Sequence, residues 1–362
     1  MPVGPPPEKK FRPYLTLTLL VVFTVLVVWR MQTGPGYRDK EQGYVFAGST
    51  MGTTWQVKVV AKSLSTEQRQ AVERAVAAAV DAVDEAMSTY KPESELSRFN
   101  ASGSLQAFPL SAATIEVLQV AKRAYDVSGG AFDPTVGPLV DAWGFGPRKV
   151  EGGPSPEEIS RLLGEVGLSR LHIDQGAGSV TRLAPALRID LSGVAKGYAV
   201  DRVAAALQEL GHNSFMVEVG GETKVHGTNE RGLPFRIGVE RPAVGGVRDL
   251  LDVLNLADLA VATSGDYRNY REVDGVRVSH TIDPRTGRPI EHRLASVSVV
   301  HASCAFADAM ATALNVLGPT AGLALANSEK LAAQFVVRTE EGEFVVEATA
   351  PFKELLATPG KE

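Results

Sequence analysis

The sequence predicts an α+β protein, with mixed sheets and interleaved helices, preceded by one N-terminal transmembrane helix. Three observations carry this. An apolar run from Tyr14 to Trp29 follows Lys9, Lys10 and Arg12 and is closed by Arg30. Beyond it, helical and strand periodicities mix without the regular βα repeat of a doubly wound sheet. Hydrophobic residues make up 44% of the 362 and charged residues 22%, so the chain can bury a substantial core.

With Pro13 and Met31 the apolar run approaches the length a bilayer core requires. Tyr14 and Trp29 sit where interfacial aromatics belong, and the basic residues are weighted to the N-terminal side. The expected organisation is therefore a basic cytoplasmic segment, residues 1–13, and a signal anchor, 14–31. The body then lies on the periplasmic side of the inner membrane, in a single-pass protein. No small-x-small cleavage pattern follows the run, which favours retention of the anchor. Residues 32–43 read as a linker, 44–350 as one catalytic domain and 351–362 as a tail.

The domain opens with a strand, Tyr44 to Ala61, interrupted at Gly48 to Thr53. A long helix follows, with Ser65 and Gln68 forming a capping box and Val72, Val76, Ala79, Val83 and Met87 its apolar stripe. A second helix starts near Ser111, turning Ile115, Leu118, Ala121 and Tyr125 inward. A third starts at Ser155, with Pro156 in its first turn and Glu158 completing a box, and runs to Gly167. Strands are then expected at Leu187–Leu191, Phe215–Val219, Phe235–Glu240 and Ala295–His301, with a hairpin from Phe335 to Ala348 turning at Glu341-Gly342. Helices are expected at Tyr198–Leu210, Ala305–Leu317 and Thr320–Ser328.

The formal charge of −5 and the scattered basic residues leave no nucleic-acid footprint. Cys304 is the single cysteine, so no intrachain disulfide can form, and it reads as a small packed residue. No Walker A loop and no Gly-x-Gly-x-x-Gly after a strand is present.

Chemistry points elsewhere. Phe306 to Thr312 places the Asp308 carboxylate and the Thr312 hydroxyl one helical turn apart on one face. A hard cation such as Mg²⁺ takes few oxygen ligands from a protein and keeps positions for water and phosphate. Arg188 to Asp201 is a strand, a small-residue turn and a helix start, where free N–H groups and Lys196 favour an anion. Ser128 to Pro138 is a glycine-rich loop with Phe132 suited to packing on an aromatic ring and Asp133 held extended before Pro134. Gly220-Gly221-Glu222 ends a strand in paired glycines. His280, before a proline-fixed turn, suits a general base or a phosphate contact. Thr263 to Tyr270 reads as a polar turn after an apolar strand. Its Ser264 lacks a nucleophile-elbow frame, which argues against a hydrolase triad.

In order along the chain, Ser49–Thr53, Ser88–Glu95, Gly130–Pro134, Asp190–Gly197, Val217–Gly221, Ser279–Pro284 and Ala307–Thr312 resemble the motifs of the ApbE family, the FAD:protein FMN transferases. The resemblance spans about Gly48 to Gly318. It implies an ApbE-like fold and a Mg²⁺-dependent enzyme with FAD as substrate. Such an enzyme splits the FAD diphosphate, releases AMP and joins FMN by a phosphoester bond to a Ser or Thr hydroxyl of an acceptor protein. Carried to matching positions, it implies FAD contacts from Met51, Tyr90, Ala131, Phe132, Asp133, Asp190, Lys196 and Ile282. It implies metal ligation by Asp308, Thr312 and the Gly193 carbonyl. Ala311 stands where some members carry a second Asp. His280 and Asp308 are the candidate catalytic residues, and subunits of membrane redox complexes the implied acceptors. An FAD diphosphatase releasing FMN and AMP, or a flavin carrier without chemistry, are the alternative functions.

Overall fold

The computed structural model describes residues 41–147, 150, 152–242, 249–265, 270–273 and 276–357. The expected membrane span at 14–31 lies outside the described residues, as does the end of the expected tail. Among the described residues one helix, Cys304–Ser328, is long and apolar enough to cross a membrane, and more than half of its apolar window is buried within the domain.

An eight-stranded sheet organises the domain. Its strands are β1 (Gln42–Thr50), β2 (Thr53–Ala61), β3 (Phe215–Val219), β4 (Glu222–His226), β5 (Ala260–Gly265), β6 (Leu294–His301), β7 (Ala332–Arg338) and β8 (Phe344–Ala348). Their order across the sheet is their order along the chain, and every neighbouring pair is antiparallel. The α+β expectation is met, although this sheet is uniformly antiparallel. Most helices are insertions between consecutive strands. Between β2 and β3 come α1 (Thr66–Met87), α2 (Glu95–Ser102), α3 (Ala112–Ser128), α4 (Gly137–Ala142), α5 (Pro156–Leu163) and α6 (Ala195–Glu209). Helix α7 (Cys304–Ser328) joins β6 to β7, and α8 (Ala350–Lys353) follows β8.

Period-two burial fixes which face meets which layer. Val59, Ala260 and Val299 face α1, α6 and α7, whereas their neighbours Val60, Val261 and Val300 face the hairpin Phe235–Glu240/Leu250–Leu256 and α8. The α1 capping box forms as expected, Ser65 Oγ accepting from Gln68 N–H and the Gln68 side chain accepting from Ser65 N–H.

Several expectations are corrected. The interruption at Gly48–Thr53 is a two-residue hairpin turn, closed by the Thr50/Thr53 pair. Met51 (φ 48°) and Gly52 (φ 69°) both occupy the left-handed region that such a turn demands. Helix α5 ends at Leu163, short of Gly167, which at φ 129° leads into a single 3₁₀ turn. Leu187–Leu191 alternates like a strand, and Leu187, Ile189 and Leu191 are fully buried, yet it makes only an isolated bridge from Arg188 to Val136. Asp190 N–H donates to the Pro134 carbonyl at 2.7 Å, and side chains take the groups of Ile189 and the Leu187 carbonyl. Asn100 donates to the Ile189 carbonyl and accepts from its N–H, both at 2.8 Å, and Arg182 donates to the Leu187 carbonyl. Thr263–Gly265 is strand β5, not a turn. Helix α6 begins at Ala195, before the expected Tyr198.

Helix α7 breaks where its sequence predicts, at Gly318 (φ 77°) and Pro319. Proline has no N–H for the carbonyl four residues back, that of Asn315. His292 fills the vacancy: its Nε2 lies 2.7 Å from the Asn315 oxygen, and its Nδ1 accepts from Leu294 N–H. A Cβ on Gly318 would lie 2.6 Å from the imidazole, so glycine is required there.

Arg182 is buried, with no carboxylate partner among the described residues. Its guanidinium donates to the carbonyls of Leu187 and Phe99 and stacks 3.9 Å from the Phe99 ring centroid, joining α2 to the segment that leads to Asp190. Burial, with a smaller push from Arg188, lowers its pKa. Arg182→Met refills the volume but strands both carbonyls, so unfolding free energy should fall by about 3 kcal/mol. Urea denaturation checks this: the midpoint should drop with an unchanged slope, and an unchanged midpoint would refute the role.

Candidate functional site

Helix α6 has no side-chain cap of its own, because its N-cap position is Val194. The acceptor comes from another helix: Asp308 Oδ2, in the second turn of α7, accepts from Gly197 N–H at 3.0 Å. That approach needs Gly197, since a Cβ there would collide with the Cys304 carbonyl. This explains the early start of α6, and it places Lys196 in the first turn, at the positive helix end.

Lys196 Nζ lies 2.5 Å from Glu222 Oε1 and 3.9 Å from Asp308 Oδ1. Glu222 opens β4 directly after the Gly220-Gly221 turn. Gly220 sits at φ 62°, and a Cβ on it would crowd Thr53 and the Lys196 stem at 3.0 and 3.2 Å, so this turn presses on both. The β1–β2 tip with Met51 thereby reaches the same end of the sheet as the α6 N-terminus. One turn along α7 from Asp308, Thr312 Oγ1 lies 3.2 Å from Ser264 Oγ at the end of β5. A Cβ on Gly193 would lie 3.1 Å from Thr312 Oγ1 and 3.1 Å from the Phe132 ring, so these residues adjoin.

The site carries two nearly inaccessible carboxylates, Asp308 and Glu222, at 3% and 2% exposure. Burial pushes Glu222 up to about 7 against the pull of Lys196, with Asp308 adding to the rise. Burial also raises Asp308, opposed by Lys196 and the Gly197 N–H. Burial alone would lower Lys196, but Asp308 and Glu222 outweigh it and hold the ammonium above its ordinary value. Glu222 Oε2 is buried with no hydrogen-bond partner among the described residues, an acceptor without a donor.

Asp308 and the hydroxyls of Thr312 and Ser264 offer oxygen donors only, with the Gly193 main chain adjoining Thr312. Among the described residues no group of three or more His, Cys, Asp and Glu is placed to hold a metal ion. A hard cation that takes few protein oxygens fits this set, and the orphaned Glu222 oxygen adds negative potential beside it. Ala311 is wholly buried in the core, where a carboxylate would have no solvent.

The remaining candidates divide. Asp190, its Oδ1 accepting from Ser192 N–H, lines an open cleft with Thr89, Asn100, Asp141 and Arg188. Nearby Tyr90 leaves its ring 70% exposed. Partial burial, then the charges of Asp190 and Asp141, raise its phenol pKa. Tyr90 Oη donates to the Phe145 carbonyl at 3.4 Å, and the His280 ring stands edge-on to the Phe145 ring with centroids 6.4 Å apart. Phe145 thus brings His280 and Tyr90 to one wall. Asp133 turns inward instead: Oδ1 accepts from Thr135 N–H and Oγ1, and Oδ2 from Leu168 N–H. Burial raises its pKa despite these bonds, and its carboxylate braces the Pro134 turn. Ala131 and Ile282 are buried, Ile282 packing with Leu139, Leu162 and Val166. The sequence reading missed Glu222 and Ser264 as site residues. For Glu222 the signal was present, a carboxylate directly after paired glycines at a strand end.

A family model described as "ApbE family" matches residues 51–335. The "FAD:protein FMN transferase" of Vibrio cholerae is 41% identical over 319 residues, covering 86% of this chain and 92% of that protein. The Escherichia coli K12 protein of the same name is 37% identical, covering 87% and 89%. Among solved structures, the flavin transferase ApbE of Vibrio cholerae superposes with a TM-score of 0.79 at 38% identity, covering 87% of this chain and 100% of that one. The apo flavinyl transferase ApbE of Pseudomonas stutzeri gives 0.78 at 40% identity, covering 87% and 97%.

Lys196→Met leaves Asp308 and Glu222 without their cation. Breaking a buried pair from one side should cost about 3 kcal/mol at alkaline pH. Glu222 titrates near 7 in the folded protein against 4.5 as its ordinary value, and losing Lys196 raises it further. The folded variant therefore takes up protons as the pH falls, so the deficit shrinks below about 7 and grows above it. Denaturation midpoints of both proteins at acid and alkaline pH test this; a deficit independent of pH would refute it.

Proposed function

The chain belongs to the ApbE family, and on that premise we propose that it is an FAD:protein FMN transferase, moving FMN from FAD to a Ser or Thr hydroxyl of an acceptor protein. The observation that carries the reading is the meeting of α6 and α7. A lysine in a helix N-terminal turn stands beside an aspartate and a threonine spaced one helical turn apart, with a glycine backbone adjoining the threonine. An FAD diphosphate needs such a place, with cationic charge on one side and hard oxygen donors on the other.

The reaction is a displacement at the FMN phosphorus. The acceptor oxygen forms the new P–O bond, the bond to the bridging oxygen breaks, and AMP leaves with that oxygen. Lys196, in the first turn of α6, holds the diphosphate charge from the positive end of that helix. Asp308, Thr312 and the Gly193 carbonyl would hold Mg²⁺, with Ser264 supporting Thr312. Bound there, Mg²⁺ supplies neutralisation of the diphosphate charge, which matters more than covalent help in phosphoryl transfer. His280 accepts the hydroxyl proton of the acceptor. The exposed Tyr90 ring and the cleft with Asp190 receive the aromatic parts of FAD, with Met51 at the hairpin tip and Phe132 beside Gly193 closing the approach. Asp133, Ala131 and Ile282 serve through the loops they brace.

We further propose that residues 14–31 anchor the chain in the inner membrane with the domain on the periplasmic side. There, subunits of membrane redox complexes are accessible as acceptors. The support is the charge and aromatic pattern around the apolar run.

Incubation with FAD, Mg²⁺ and a candidate acceptor tests the activity. Flavin fluorescence that stays with the denatured acceptor supports transfer, free FMN alone supports a diphosphatase, and intact FAD a carrier. Asp308→Ala should reduce metal-dependent turnover about 100-fold or more, and His280→Ala should slow transfer by about 100-fold while FAD binding persists. Full turnover by Asp308→Ala would overturn the proposed metal site.

A further inference from the structure

Helix α7 is apolar along its buried length, yet Asp308, Thr312 and Asn315 follow one another at i, i+4 and i+7, the spacing of a single face. The first two belong to the site described above. Asn315 is 1% exposed and lies in no motif that the sequence reading singled out. Its Nδ2 donates to Thr281 Oγ1 at 3.4 Å, while its Oδ1 is buried with no hydrogen-bond partner among the described residues.

Thr281 is the residue next to His280. Its N–H donates to Ser279 Oγ, and its carbonyl accepts from Ile290 N–H, so the turn bearing His280 is closed on itself at Thr281. The Asn315–Thr281 hydrogen bond ties that turn to α7. The turn of α7 that carries Asn315 is itself fixed, because Pro319 releases the Asn315 carbonyl and His292 captures it at 2.7 Å. One helix thus offers Asp308 and Thr312 to the site and, a turn later, reaches the loop that carries His280.

We infer that Asn315 is a positioning residue, setting the His280 loop in register with Asp308 and Thr312. A residue kept only for stability would not be a buried amide with an unmet acceptor, since an apolar side chain of that size avoids the desolvation cost. The His292–Gly318–Pro319 break serves the same end by locking the turn from which Asn315 projects. The inference rests on the proposed transferase reading, in which His280 meets the acceptor hydroxyl.

The experiment compares Asn315→Leu, Thr281→Val and Thr281→Ser with the unaltered chain, with His280→Ala as reference, in the FAD, Mg²⁺ and acceptor assay. Asn315→Leu should keep or raise the melting temperature yet lower kcat about 10- to 100-fold, with the KM for FAD little changed, because a misplaced loop costs rate and not binding. Thr281→Val should reproduce that loss, Thr281→Ser should restore most of it, and the double variant Asn315→Leu/Thr281→Val should be no slower than either single. Undiminished kcat in Thr281→Val, or a double variant slowed by the product of the single effects, would overturn the inference. A His280→Ala enzyme of full activity alongside a slow Thr281→Val would instead overturn the role given to His280 and leave the loop's positioning by Asn315 standing.

Discussion

A carboxylate buried inside an apolar helix is the constraint on which the rest of this structure depends. Asp308 is enclosed on α7 and cannot be solvated by water, so the protein must supply its partners. It does so with the Gly197 N–H and the Lys196 ammonium, both in the first turn of α6. Those two contacts draw α6 against α7 so closely that only glycine fits at position 197. They also draw in Glu222, so that two buried carboxylates share one ammonium, and burial raises the pKa of both against its pull. The site is thus a solution to a solvation problem in the core.

The antiparallel sheet delivers these pieces to one end. Strands that follow each other in space as they do in sequence need only short links, so the long insertions after β2 and between β5 and β6 are free to build over the sheet. The turns at Met51-Gly52 and Gly220-Gly221 and the end of β5 at Ser264 gather where α6 begins. Left-handed backbone at Met51, Gly52 and Gly220 lets the chain reverse tightly there, and at Gly220 the turn packs against Thr53 and the Lys196 stem.

What the sequence disclosed follows from how local each cause is. Helices α1 and α3 were legible from Ser65 and Ser111, and the α7 break from Gly318-Pro319, because caps and prolines act within a few residues. The β1–β2 hairpin read as an interrupted strand because its turn uses Met51 at positive φ, which a non-glycine residue rarely signals. The start of α6 was misplaced because its cap is Asp308, more than a hundred residues away. Leu187–Leu191 read as a strand because its burial alternates, yet the side chains of Asn100 and Arg182 take the backbone groups of Ile189 and the Leu187 carbonyl that a ladder would use. For the site, Asp308, Thr312, Gly193 and Lys196 were named from motifs, and the structure brings them together. Asp133, named with them, spends its carboxylate on its own loop, a fate that residue type cannot reveal.

The polar stripe of α7 also shows how stability and function divide along one helix. Asp308 is satisfied by two partners, Thr312 by the Ser264 hydroxyl, and Asn315 only in part. An apolar residue at each position would pack the core at less cost, so the stripe is maintained against the folding free energy. Its members face different loops: the Gly193 turn, the end of β5 and the His280 turn. A helix rigid enough to hold them at fixed spacing converts a local polar pattern into the relative placement of segments far apart in the chain. That explains why so apolar a helix, the one among the described residues with the make-up of a membrane span, lies at the centre of a polar site.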